Sequence, residues 1–180
     1  MKSFFLLCLC FFVFSVCFGQ AHQKIRLLYS SADITNIADD TIQVKRIRVA
    51  LHSNSIIVRL TNKTRLAFPT DRIWGYREKG NVIYRYYQGE FYRVMQVDTL
   101  VVYAKWVSGY KSGHYNYYLS IGLNQELHRL DMKNLKNLFA GNLCFLQKMR
   151  YELKWYQDYS SYDYSNKSYR VIEFFKDCIN

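Results

Sequence analysis

The chain of 180 residues has no HExxH, no GxSxG and no phosphate-binding Gly-rich loop. Its four histidines, His22, His52, His114 and His128, are scattered, with none at metal-ligand spacing from another. No CxxC or Cys/His spacing suggests zinc. Asp39-Asp40 is the only adjacent acid pair, and solvation in a polar loop explains it. No catalytic residue, metal or cofactor is therefore assigned from sequence. An enzyme would need a site assembled from distant residues, recognisable by geometry and not by chain order.

Cysteine is scarce where it matters. Of five cysteines, Cys8, Cys10 and Cys17 fall in the first 19 residues, leaving only Cys144 and Cys178. Residues 1–19 read as a signal peptide: Lys2 supplies the positive start, an apolar run follows, and Cys17 and Gly19 stand at the small positions before cleavage at Gln20. That run is short for a membrane span of about 20 residues, and no later run reaches that length. Lipidation at Cys17 is the rival reading, opposed by bulky Val16. Export to the periplasm, the outer-membrane surface or the medium is expected. Removing 19 of 180 residues leaves 161, read as a single mature domain over 20–180. Two thiols in an exported protein predict a Cys144–Cys178 disulfide, with two separate buried thiols as the alternative.

Acidic residues are outnumbered. Without Lys2 the chain keeps 24 basic against 14 acidic side chains, a net charge of +10. Such a field attracts anionic polymers and lipids without choosing among them.

What is abundant is tyrosine, in short runs of β-formers. "DRIWGYREKGNVIYRYYQGEFYRVMQV" (71–97) sets Trp, Phe and Tyr among four arginines. Turn signals cut 71–106 into four strands, with two-residue tips expected at Lys79-Gly80, Gln88-Gly89 and Asp98-Thr99. That register puts Tyr84, Tyr86, Phe91, Met95, Val102, Ala104 and Trp106 on a core face, with Arg77 and Arg93 near its margins. The opposite face collects Trp74, Tyr76, Ile83, Arg85, Tyr87, Tyr92, Val94, Gln96, Tyr103 and Lys105. Two readings of that face compete. Either the C-terminal helices cover its centre, or Arg85, Tyr87, Tyr92 and Lys105 form an open binding platform.

Further strands are expected at 41–51, 55–61, 64–68 (stopped by Pro69) and 114–122. Lys45, Arg46, Arg48, Arg59, Lys63 and Arg65 cluster there and read as a solvated edge that resists strand addition. From residue 131 the period changes to helical. Asp131 caps a first helix, a second starts at Asn142 with Leu143, Leu146, Met149, Leu153 and Tyr156 on one stripe, and 167–177 reads as a third helix or, by its alternation, as a strand. Antiparallel packing of the last two would bring Cys144 to Cys178. The Tyr/Ser/Asp-rich stretch 155–169 reads as an ordered connector.

The fold class expected is α+β: an antiparallel β-meander of six to eight strands, rolled or sandwich-like, over about 24–122, then two or three helices over 131–178. The "FPTDRIWGYREKGNVIYRYYQGEFYRV" block, the "LVVYAKW" strand, "LHRLDMKNLKNLF" and the signal ending in "FGQ" resemble a loose group of small uncharacterised exported proteins of Bacteroidetes. That resemblance implies export and carries over no activity and no site residue. The functional expectation is a non-enzymatic envelope or exported protein, binding or structural, whose partner is an envelope protein or an anionic glycan. Nucleic acid is disfavoured by export, and an envelope hydrolase with a site of scattered residues is the alternative.

Overall fold

The computed structural model describes residues 24–35, 42–50, 54–78, 80–110, 112–152 and 159–179. The expected signal segment with Cys17, the Asp39-Asp40 pair, His22, His52 and the Leu153 and Tyr156 end of the second helical stripe lie outside the described residues.

Among the described residues ten strands form one antiparallel sheet: β1 (Lys24–Leu28), β2 (Ile42–Val49), β3 (Ser55–Leu60), β4 (Arg65–Pro69), β5 (Gly75–Glu78), β6 (Ile83–Tyr87), β7 (Glu90–Gln96), β8 (Leu100–Val107), β9 (His114–Ile121) and β10 (His128–Arg129). The spatial order is β10-β9-β8-β7-β6-β5-β1-β2-β3-β4. Two meanders, β2–β4 and β5–β10, thus flank β1, which the sequence reading did not identify as a strand. The short β10 was also missed, so the sheet exceeds the six to eight strands expected.

The link from β4 to β5 shows that the sheet rolls. Four inter-strand steps of about 4.8 Å separate these strands in the sheet. The connection, 70–74, starts with a 3-10 turn at Thr70–Arg72, which advances only about 2 Å per residue. A flat sheet would leave that link no slack. Rolling instead brings β4 over β1: Leu66 and Phe68 pack with Ile25, Leu27, Val44, Ile56, Val58 and Ile73 in one core.

Two registers were read correctly and one was not. Across the β6–β7 turn, Arg85 faces Tyr92 and Tyr86 faces Phe91, as the two-residue turn requires. Across β7–β8, Arg93 faces Ala104 and Val94 faces Tyr103, also as expected. Between β5 and β6, however, Tyr76 faces Tyr84 and Gly75 faces Arg85. The turn is one residue longer because Gly80 and Asn81 both adopt positive φ, at 83° and 62°. The slip moves Tyr76 to the core face and Arg77 off it. A bulge between Val94 and Gln96 makes a second correction. It turns Gln96 toward the helices, where its amide donates to Ser168 Oγ at 3.1 Å and accepts from the Tyr169 amide at 2.9 Å.

Among the described residues three helices follow the sheet: α1 (Met132–Leu138), α2 (Leu143–Glu152) and α3 (Arg170–Asp177). Asp131 caps α1, accepting from the Asn134 amide at 2.9 Å. Asn142 Oδ1 accepts from the Phe145 amide at the start of α2. Of the stripe expected on α2, Met149 is buried and Leu143 is exposed; Phe145, not on that stripe, is the other inward side chain. Cys144, at the start of α2, is bridged to Cys178, just past α3, with Cα atoms 5.7 Å apart. The expected connector contains a two-residue hairpin, β11 (Tyr162–Asp163) and β12 (Ser168–Tyr169). Among the described residues no helix is long and apolar enough to cross a membrane.

The helices cover the core face and not the opposite one, which corrects the reading that placed them on the Trp74/Ile83/Val94/Tyr103 surface. Leu135, Phe139, Phe145, Met149, Val171, Ile172 and Phe175 pack on Leu100, Val102 and Leu119. The physical reason lies in the sheet. The centre of that end is aliphatic, at Leu100, Val102 and Leu119, whereas the opposite face carries Arg85 and tyrosine hydroxyls that an apolar helix stripe cannot satisfy.

Candidate functional site

Two of the four residues expected to form an open binding platform, Arg85 and Tyr92, are enclosed. Arg85 is 5% exposed and Tyr92 8%. The Arg85 guanidinium donates to Tyr103 Oη at 3.1 Å and to the Gln125 carbonyl at 2.8 Å. It also lies 5.2–5.9 Å from the ring centroids of Trp74, Tyr87 and Tyr103. The turn at 122–127 closes over it: Leu123 and Leu127 pack on Val101 and Tyr103, and Asn124 accepts from Trp74 Nε1 at 3.2 Å. Tyr87 and Lys105 remain at the rim, with Lys105 ion-paired to Glu90. Burial, followed by the nearby Glu90 carboxylate, pushes the Tyr92 phenol up to about 12. This face is a structural pin, and two of its four candidate residues are closed to a ligand.

The open site lies on the core face, beyond the reach of the helices. A groove of about 370 Å³ is lined by side chains that include Val49, Tyr76, Tyr84, Phe91, Arg93, Trp106 and Tyr115. Period-two alternation brings them together: Tyr84 faces Arg93, which faces Ala104, while Trp106 faces Tyr115. Tyr76 stacks on Tyr84 with centroids 4.7 Å apart and meets the edge of Phe91 at 4.9 Å. Trp106 meets Tyr115 at 4.9 Å. These two rings are 54% and 44% exposed, so the far wall of the groove presents aromatic surface to solvent. Val102, in contrast, is fully buried under the helices. The core-face assignment of Trp106 therefore holds for its parity and fails for its burial.

Backbone shape helps to set this wall. Gly113 lies beneath the Trp106 ring, where an added Cβ would stand 2.1 Å from Cζ2. From the groove a file of rings continues through Tyr115, Tyr117 and Tyr169 at centroid steps of 6.4 and 6.2 Å. Tyr169 is buried, so the accessible part of the file ends near Tyr117.

The chemistry on offer is recognition. Burial, and then the Glu78 carboxylate, raises the phenols of both Tyr76 and Tyr84, so they stay neutral donors and acceptors. Arg93 places a cation among the rings. Among the described residues no group of three His, Cys, Asp or Glu side chains could hold a metal ion. His128, on β10, stands 3.9 Å from Glu126, whose side chain is 78% exposed.

The sequence contained the groove's residues without revealing the site. Parity alone assigned Trp106 and Tyr84 to the interior, because it cannot say how far along a face the covering helices extend. The slipped β5–β6 register hid Tyr76 as well.

The basic cluster also departs from expectation. Arg46 and Arg48 are on β2 and Arg59 is on β3, both interior strands of the order above; only Arg65 lies on the edge strand β4. They spread across a face and do not line an edge. Comparison with family models, curated proteins and solved structures finds no match to this chain.

Proposed function

We propose that this is an exported, non-enzymatic binding protein of the cell envelope that holds an anionic glycan in the groove between Tyr84 and Trp106. The observation that carries the reading is the pairing of solvent-facing Trp106 and Tyr115 with Arg93 in one groove. Aromatic faces stack on the C–H faces of sugar rings, and an arginine fork pairs with a carboxylate or ester oxyanion. Export to an oxidising compartment is supported by the sequence of residues 1–19 and by the Cys144–Cys178 bridge. The net charge of +10 favours capture of anionic polymers.

The test is titration of the protein with acidic and neutral oligosaccharides at physiological salt. An acidic glycan is expected to bind, and W106A/Y115A to weaken it at least tenfold while leaving the thermal midpoint within a few degrees. R93Q should erase the preference for acidic over neutral sugar. Wild-type affinity in W106A/Y115A would remove the groove from the account, and capture of an envelope protein at the same residues would transfer the site to a protein partner.

A further inference from the structure

The outer face of β2–β3–β4 carries an arrangement that neither the groove nor the fold requires. Arg46 faces Arg59, and Arg59 in turn faces Arg65, so three guanidinium side chains stand abreast on adjacent strands. The next row is Arg48, Ile57 and Ala67. The alternation confirms the outward direction, since Ile47, Ile56 and Val58, each next to one of these residues in the chain, pack into the core on the other side. Together Arg46, Arg48, Ile57, Arg59 and Arg65 line a depression of about 50 Å³. A single water needs only about 10–15 Å³ of such space, so the depression admits a compact group of several atoms and no sugar ring.

Like charges directly opposite one another destabilise a sheet. Among the described residues none of these four arginines is paired with an acid. Arg59, in the middle, has its Nε buried without a hydrogen-bond partner. A face that sets three cations abreast and leaves a buried N–H unanswered is organised around an anion. A carboxylate brings one charge and two coplanar oxygens. A phosphoryl group brings up to two charges and oxygens directed to several sides, which suits guanidinium forks converging from three strands.

We propose that Arg46, Arg48, Arg59 and Arg65 form a binding site for a phosphoryl group, carried by an anionic lipid headgroup or by a free phosphorylated molecule. This site is separate from the aromatic groove and stands whether or not the groove binds a glycan.

The experiment uses inorganic phosphate, inorganic pyrophosphate and vesicles of phosphatidylcholine with or without phosphatidic acid, all at one ionic strength. Pyrophosphate is expected to raise the thermal midpoint in a saturable way. R46Q/R65Q should bind it at least tenfold more weakly, whereas K133Q/K136Q, which removes the same charge from exposed positions on α1, should bind as the wild type does. Without any anion, R46Q/R65Q should melt at or above the wild-type temperature, because it dissolves the like-charged row; this also shows that the variant folds. Vesicle binding that needs phosphatidic acid and is competed by pyrophosphate identifies a lipid source. Pyrophosphate binding without vesicle binding identifies a soluble one. Equal losses in the two variants, no saturable response to either anion, or binding confined to an oligonucleotide that pyrophosphate cannot displace would each overturn the proposal.

Discussion

Arg85 is the most informative side chain to change, because a ligand-binding residue and a structural pin respond differently. In the pin, the guanidinium makes two charge-assisted hydrogen bonds, to Tyr103 Oη and the Gln125 carbonyl. Each is worth about 1.5–3 kcal/mol net. The rings of Trp74, Tyr87 and Tyr103 add cation–π attraction, about 0.5–2 kcal/mol per contact depending on desolvation. Against this stands the cost of holding a charge 5% exposed, which costs several kcal/mol before its partners are counted. We expect Arg85→Ala to destabilise by about 3 kcal/mol, since it loses the bonds and leaves a cavity. Arg85→Met fills the volume and removes the desolvation cost, so about 1–2 kcal/mol is expected. At about 2–4 °C per kcal/mol for a chain of this size, the alanine variant should melt about 6–12 °C lower. Urea melts supply the free energies, and amide exchange across 122–127 supplies a local reading. That turn should lose protection in both variants, because Gln125 is its anchor to the sheet. Two variants as stable as the wild type, with 122–127 still protected, would refute the reasoning and return Arg85 to the surface.

Removing the Cys144–Cys178 bridge with C144S/C178S opens a crosslink across 34 positions; chain entropy predicts a loss of about 3–4 kcal/mol, read as a midpoint about 6–16 °C lower in the oxidised comparison. At Gly75 an added Cβ would stand 2.0 Å from the Tyr84 carbonyl oxygen, which is backbone and cannot swing away. Gly75→Ala should therefore cost more than about 3 kcal/mol or abolish the cooperative transition, whereas Gly141→Ala, with open space around it, should leave a normal one. Asp98 is the acid-sensitive tie between the β7–β8 turn and α3. Burial acts to raise its carboxyl, but hydrogen bonds from Lys176 and the Thr99 amide outweigh that and hold it below its ordinary 3.8. A depressed carboxyl stabilises the fold above its unfolded pKa and loses that contribution as pH falls through the folded value. Wild type should thus exceed Asp98→Asn by about 0.5–1 kcal/mol near pH 7, with the gap closing below pH 3.8; a gap that widens in acid contradicts the assignment.

The sequence revealed local periodicity well and coverage poorly. Gln88-Gly89 admits only one sensible hairpin, and the β6–β7 register followed from it. Lys79-Gly80-Asn81 contains two residues that tolerate positive φ, so the chain has a choice that alternation cannot decide. The bulge that redirects Gln96 has no local signal, because its cause is a partner 73 residues away, the Tyr169 amide. The disulfide was legible from scarcity, since the two cysteines outside the expected signal segment permit one pairing. Strand β1 was missed because "KIRLL" is five residues of ordinary composition; it is a strand because neighbours on both sides supply its hydrogen bonds. The arginine face was visible as a cluster, but only the pairing of β2, β3 and β4 shows that its members stand abreast.

Strand β1 carries a duty out of proportion to its length. It pairs with β5 on one side and β2 on the other, and among the described residues those two meanders share no other backbone ladder. Unzipping Lys24–Leu28 would leave β2 and β5 each with a raw edge. Such an edge accepts any complementary strand, including β1 from a second copy. The short β1 ladder is thus also where exchange between chains would begin.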